Sequence, residues 1–157
     1  MKKPWNLLNL PVYSLVTLQN GRVNMNICTY VSAVSLSPKL YSVAVFQETQ
    51  TLSNIENSET CVLQLLRNDQ FSLVRTLGKK SGKNYDKQSY LERKKILEEW
   101  NGFPVLKDVC ARILLKKIAQ QSTGDHELFV FEVLKSISYS NDVLTENTLR
   151  KKQIIRT

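Results

Sequence analysis

Apolar and polar residues alternate with a period of two along several short stretches of the chain, the spacing that turns one side of a β-strand toward a core. The first stretch runs from Val12 to Leu18, with Val12, Tyr13, Val16 and Thr17 as β-formers, and it meets Gln19, Asn20 and Gly21. An Asn-Gly pair suits the two left-handed positions of a tight hairpin turn. A partner strand is therefore expected from Arg22 through Ile27, Thr29 and Val31 toward Ala33, with Asn26, Cys28, Tyr30 and Ser32 on its other face. Ser37 and Pro38 break the pattern, and Leu40 to Phe46 predicts the next strand.

Thr49 or Thr51 caps a short helix that carries Leu52 and Ile55 and ends near Asn57, and Thr60 to Leu66 reads as another strand. Asp69 introduces a second short helix with Gln70, Phe71, Val74 and Leu77, closed by Gly78. The polar, basic run from Lys79 to Lys87 predicts a surface loop, followed by a helix from Ser89 to Trp100 that Asn101, Gly102 and Pro104 stop. Ala111 to Ile118 and His126 to Ser136 are strand-like, joined through Gln120 to Asp125. At least five strands broken by two or three short helices lack the regular alternation of a parallel α/β sheet. The pattern predicts a mainly β fold, an antiparallel sheet closed into a small barrel.

At 157 residues the chain suits one domain spanning 1–157, with a short basic C-terminal tail. Its 42% hydrophobic and 23% charged content excludes general disorder, a collagen-like chain and a simple coiled coil. No run approaches the ~18 apolar residues of a membrane helix. Lys2 and Lys3 precede Leu7, but Asn9 and Pro11 interrupt a signal-like core, so a cytoplasmic protein with no membrane partner is expected. The net charge of +8 (22 − 14) favours anionic partners. The cations are spread from Lys79 to Arg156 without an aromatic-rich RNA motif or a DNA-reading helix, which ranks nucleic acid last among those anions.

Cys28, Cys61 and Cys110 form an odd set with no CxxC pair, and adding His126 does not produce the short paired spacing of a zinc site. No metal is expected. His126 is the single histidine, so a multi-histidine metal centre is excluded, and no local motif supports a cysteine–histidine nucleophile.

The order of segments carries more information than any one of them. Pro11 to Val23 leads into Asn24-Met25-Asn26-Ile27-Cys28-Thr29-Tyr30-Val31-Ser32-Ala33-Val34-Ser35-Leu36-Ser37-Pro38, then into Thr49-Gln50-Thr51-Leu52-Ser53-Asn54-Ile55. Leu73-Val74-Arg75-Thr76-Leu77-Gly78, Ser81-Gly82-Lys83, Phe103-Pro104-Val105-Leu106 and Gly124-Asp125-His126 follow. In this order they resemble the flavin reductase-like family, whose fold is an antiparallel Greek-key split β-barrel that binds FMN. Many relatives carry a basic residue where Gln50 stands, and a more glycine-containing approach where Asn24-Met25-Asn26 stands.

The resemblance implies FMN, with FAD as the other flavin, held along Asn26, Ile27, Cys28, Thr29 and Ser32, with its phosphate at Thr49, Gln50 and Thr51. It implies that Ser81, Gly82 and Lys83 close over the same pocket and that His126 stands on the nicotinamide side. Such a site needs an apolar wall for the isoalloxazine and donors or positive charge for the phosphate. Read by themselves, Thr49 and Thr51 serve as helix caps, Lys83 as a solvated loop charge, and His126 as the first strand residue after a Gly124-Asp125 turn. The implied activity is hydride transfer from NADH or NADPH to flavin N5, in a homodimer that passes reduced flavin to a partner monooxygenase or uses it within the same complex. A flavin-binding or flavin-sensing barrel without efficient turnover is the alternative, and it is motivated by Gln50 and the bulky Ile27 to Tyr30 run.

Overall fold

The structure is a computed structural model that describes residues 1–156. Strands β1 (Tyr13–Gln19) and β2 (Arg22–Met25) form the first hairpin, followed by β3 (Val31–Ser35), β4 (Leu40–Phe46), helix α1 (Gln50–Glu56) and β5 (Thr60–Leu65). A 3-10 turn over Asn68–Ser72 runs into α2 (Leu73–Lys79), then come α3 (Lys87–Arg93), β6 (Leu97–Trp100) and β7 (Phe103–Leu106). The long strands β8 (Ala111–Ser122) and β9 (His126–Ser138) precede α4 (Glu146–Lys151). Among the described residues, no helix is long and apolar enough to cross a membrane.

Seven strands make one antiparallel sheet in the order β2-β1-β5-β8-β9-β4-β3, and β6-β7 stands as a separate hairpin. Residues 26–30 complete the barrel. Tyr13 and Cys28 exchange both backbone hydrogen bonds at 2.9 Å, and Ala44 N–H donates to the Tyr30 carbonyl at 3.0 Å, so this segment ties β1 to β4. The sheet is an antiparallel split barrel, as the strand pattern predicts.

The period of two sorts its side chains into two cores. Leu15 lies opposite Leu63 and Val16 opposite Val62 in the β1–β5 register. Leu15 and Leu63 join Val43, Val45, Phe129 and Phe131 in one buried cluster. Val16 and Val62 face the other way, into a second cluster with Leu77 of α2, Leu91 of α3, Leu106 of β7 and Leu149 of α4. Each face of the sheet therefore has its own apolar layer: α2, α3 and α4 cover one of them, and α1 packs Ile55 and Leu52 against the other.

Several boundaries differ from the sequence expectation, each for a local reason. The strand after Gly21 stops at Met25 because the Asn26 side-chain carbonyl takes the Leu15 N–H at 3.0 Å, a bond a continuing ladder would give to backbone. The chain then crosses to begin β3 at Val31. The helix expected from Ser89 to Trp100 spans only Lys87–Arg93, and Lys95 turns the chain with φ 56°. Beyond it, Asn101 (φ 49°) and Gly102 (φ 82°) make the β6–β7 hairpin, with the same turn chemistry as Asn20 (φ 51°) and Gly21 (φ 74°). Gly78 lies inside α2 and does not close it. The basic C-terminal stretch forms α4 and then a Schellman turn. Ile154 N–H donates to the Leu149 carbonyl and Gln153 N–H to that of Arg150, with Gln153 at φ 55° and Ile154 buried beside Leu149.

Candidate functional site

A cavity of about 530 Å³ opens between the 26–30 segment, the end of β4 with the turn into α1, and the end of α2 with the loop after it. Because Asn26 has ended β2, Ile27, Cys28 and Thr29 run along one wall as irregular backbone. Ala44, Val45 and Leu77 add apolar surface to it. Thr49, Gln50 and Thr51 stand on another wall, and Ser81 and Gly82 form part of the rim.

Thr49 is the N-cap of α1. Its hydroxyl accepts from Leu52 N–H at 3.2 Å and donates to the Phe46 carbonyl at 2.8 Å, which fixes the turn from β4 into the helix. Thr51 is buried, and its hydroxyl oxygen accepts from the Asn24 side-chain amide at 3.0 Å. Its own hydroxyl hydrogen is left for another acceptor. The Gln50 amide donates to Gln19 at 2.9 Å and to Asn54 at 2.7 Å, and Asn54 in turn donates to Thr17 at 2.9 Å. Gln50 is thus a neutral amide tied into a network with β1.

A cation arrives from elsewhere. Lys87, the first residue of α3, is buried, lines the cavity and donates to the Met25 carbonyl at 2.8 Å and the Leu77 carbonyl at 2.7 Å. Burial pulls its amine down to about 8, from 10.5. Asp86 caps α3 by accepting Ser89 N–H at 3.0 Å, and so sets Lys87 at the start of the helix. Asn24 is 6% exposed, and its side-chain oxygen is buried with no hydrogen-bond partner. Gly82 presses on that oxygen so closely that a Cβ there would overlap it.

The other end is aromatic and open. Phe46 faces His126 across the β4–β9 register, with ring centroids 5.5 Å apart, and Tyr30 stands 5.3 Å from the same imidazole. His126 Nδ1 lies 2.5 Å from the Asp125 carboxylate, whose pKa is lowered by this hydrogen bond. Cys28 faces the cavity, but burial pushes its thiol up to about 12, so it stays protonated and is no nucleophile at neutral pH.

Of the residues singled out in the sequence, Asn26, Ile27, Cys28, Thr29, Thr49, Gln50, Thr51, Ser81, Gly82 and His126 all line this one cavity. Ser32 does not. It lies in β3, exposed, with its hydroxyl on the Ala33 carbonyl at 3.1 Å, because the segment has turned outward by Val31. Lys83 lines an adjoining cavity instead. Sequence reasoning missed Asn24, Lys87, Tyr30 and Phe46. The Asp86-x-x-Ser89 cap signalled where α3 begins, but nothing local signalled that Lys87 would be buried.

An apolar wall flanked by irregular backbone and an inner end with hydroxyls and a buried ammonium suit a planar ring system that carries a hydroxylated chain and a phosphate. The residues fit a flavin nucleotide. Comparison with known proteins agrees on the class: the flavin reductase like domain family matches residues 5–149, and the chain belongs to that family.

Among solved structures it is similar to the flavin reductase PheA2, at 26% identity over 92% of this chain and 93% of that one, with a TM-score of 0.75. It is also similar to BorF, the flavin reductase component of a bacterial two-component tryptophan halogenase, at 16% identity over 90% and 88% of the two chains, TM-score 0.79. The FMN-binding protein of Thermus thermophilus, solved with 1-cyclohex-2-enone, shares 21% identity over 88% and 75%, TM-score 0.77. No curated protein matches the sequence.

Proposed function

We propose that this protein is an NAD(P)H-dependent flavin reductase that holds the flavin mononucleotide portion common to FMN and FAD in the 530 Å³ cavity. The observation that carries the reading is the convergence of the 26–29 segment, Thr49 to Thr51 and the buried Lys87 ammonium on one cavity. Asn26 to Thr29 would flank the ring, with Ile27 and Val45 as apolar surface against it. Thr51, which still has a hydroxyl hydrogen to give, and Lys87 would meet the phosphate. Ser81 and Gly82 would close the rim. A bound flavin supplies the redox chemistry, taking up hydride from reduced nicotinamide, so the protein's task is alignment and electrostatics.

Tyr30, Phe46 and His126 would receive the nicotinamide at the open end, where Asp125 holds the imidazole in orientation. Tyr30 and Phe46 remain 60% and 43% exposed, and Val34 and Leu36 of the neighbouring edge are also exposed. A second copy of the chain covering this apolar rim would complete the site, which is the basis for a homodimer. Transfer of reduced flavin to a partner monooxygenase is the proposed use, in line with a neighbour that is one component of a two-component halogenase. Three free, buried thiols suit the reducing cytoplasm.

The test is spectral. The purified full chain should take up FMN or FAD with a shift of the oxidised-flavin band, and NADH or NADPH should bleach that band without oxygen. Uptake without bleaching would select the flavin-binding or flavin-sensing alternative. Absence of any uptake would reject the site. Light scattering of the flavin-loaded protein checks the dimer.

A further inference from the structure

We infer that the basic face where α2 meets the end of α4 docks an acidic segment of a protein partner. The chain carries 22 Lys and Arg against 14 Asp and Glu. Two stretches, 70–85 and 147–156, each hold four of the cations and no acid. The rest of the chain therefore has 14 of each (22 − 8 = 14) and is neutral, so the whole formal charge of +8 belongs to these two stretches.

The fold brings them together. The Arg75 guanidinium of α2 donates to the Gln153 carbonyl at 3.5 Å, and Lys79 of α2 shares a groove of about 690 Å³ with Arg150, Gln153, Ile154, Ile155 and Arg156. Among the described residues no carboxylate lines that groove. The acids that border the two stretches are already committed, Asp69 to Arg67, Asp86 to Arg22 and Glu146 to Arg150. Arg75, Lys79 and Arg156 are exposed and make no ion pair among the described residues. Arg75 and Lys79 also repel each other at i,i+4 on one face of α2. A partner's carboxylates would relieve that repulsion, and the concentrated positive field would steer such a partner to this face.

The surroundings select an acidic protein segment over other polyanions. The apolar part of the groove is aliphatic, Ile154 and Ile155, and no aromatic ring lines it on which a nucleic-acid base could stack. The two rings in these stretches, Phe71 and Tyr85, each already hold an ammonium of the chain itself, Lys152 at 4.9 Å and Lys80 at 4.2 Å from the centroid. No large apolar side chain of either stretch is exposed, which leaves none to insert into a bilayer. Lys79 lines both this groove and the first cavity, so a docked partner stands next to the proposed flavin site. That consequence rests on the flavin reading, whereas the docking itself does not.

Fluorescence anisotropy of a labelled poly-L-glutamate peptide, titrated with the full-length protein at low ionic strength, tests the assignment. The peptide should bind, and Arg75→Glu combined with Arg156→Glu should weaken it roughly tenfold. Lys39→Glu combined with Lys135→Glu changes two exposed cations elsewhere, lowers the net charge equally, and should alter the affinity by no more than about twofold. Equal weakening by the two pairs would mean attraction to net charge alone and would overturn the docking surface. Absence of peptide binding, or tighter binding of an oligothymidylate or of phosphatidylglycerol vesicles, would overturn it as well. A dimer in light scattering that Arg75→Glu with Arg156→Glu dissolves would give the face to a second copy instead. Flavin titration of the same proteins keeps the two readings apart: if the unmodified chain takes up no flavin, the flavin reading is lost and the peptide result stands.

Discussion

The two ends of the cavity are built on opposite principles. At the inner end, Asn24, Thr51, Gln50, Asn54 and Lys87 are bonded to one another, to side chains of β1 or to backbone from β2 and α2, and little freedom remains to be lost when an anion arrives. At the outer end, Tyr30, Phe46 and His126 touch ring to ring but stay open to solvent, bound by contacts that can be exchanged for those of a ligand. The comparison separates affinity from turnover. On the proposed function, preorganised donors at the inner end would hold a resident group tightly, whereas an open aromatic end would admit and release a transient one.

The largest break in this comparison is expected at Lys87. Lys87→Met leaves the Met25 and Leu77 carbonyls without their donor, a loss of about 2–4 kcal/mol. On that basis thermal unfolding should show Tm lowered by roughly 5–12 °C, and flavin affinity should fall at least tenfold in titration. Next comes Gly82→Ala, whose methyl group must displace the rim from Asn24, at roughly 1–3 kcal/mol for overpacking. Flavin affinity should fall about tenfold in that variant, with the unfolding midpoint affected less than in Lys87→Met.

At the outer end, Phe46→Ala should reduce kcat/KM for the reduced nicotinamide about tenfold, the size of one lost aromatic contact. Its effect on flavin affinity should be much smaller. Steady-state kinetics beside flavin titration separates the two.

A pH series sharpens the contrast further. The folded Lys87 amine is lowered to about 8 from 10.5, so the folded state binds fewer protons than the unfolded chain between those values. Through this group stability therefore rises with pH across that window, while affinity for the flavin phosphate falls above about pH 8 as the ammonium loses its charge. Lys87→Met should lack both trends. The smallest effect belongs to Asp125→Asn. The residue is exposed and its contact with His126 contributes little to stability, so Tm should not move measurably, and only nicotinamide kinetics should change slightly.

Much of the barrel was legible because strand periodicity and turn chemistry are local. Val12 to Leu18, Leu40 to Phe46 and Thr60 to Leu66 appear within a residue of their observed bounds, and Asn20-Gly21 turns as its dipeptide demands. Asn101-Gly102 carries the same signal. Read as a helix stop, it hid the β6–β7 hairpin, because the charged run before it has no apolar alternation to mark a strand that packs only through Leu97 and Trp100. Asn26 is the reverse case: a residue placed correctly at the site whose side-chain bond to Leu15 also ends the strand that was expected to continue through it.

What the amino-acid order determined by itself is the set of short strands and caps, together with the segments whose succession marks the family, since these depend on neighbours a few residues apart. What only the tertiary structure decided is which charges and amides face the cavity. Lys87 is buried because carbonyls 62 and 10 residues away in the sequence converge on its amine. Asn24 lacks a donor because Gly82, from a different part of the chain, closes over it. Burial and hydrogen-bond satisfaction are properties of that convergence, and no local pattern encodes them.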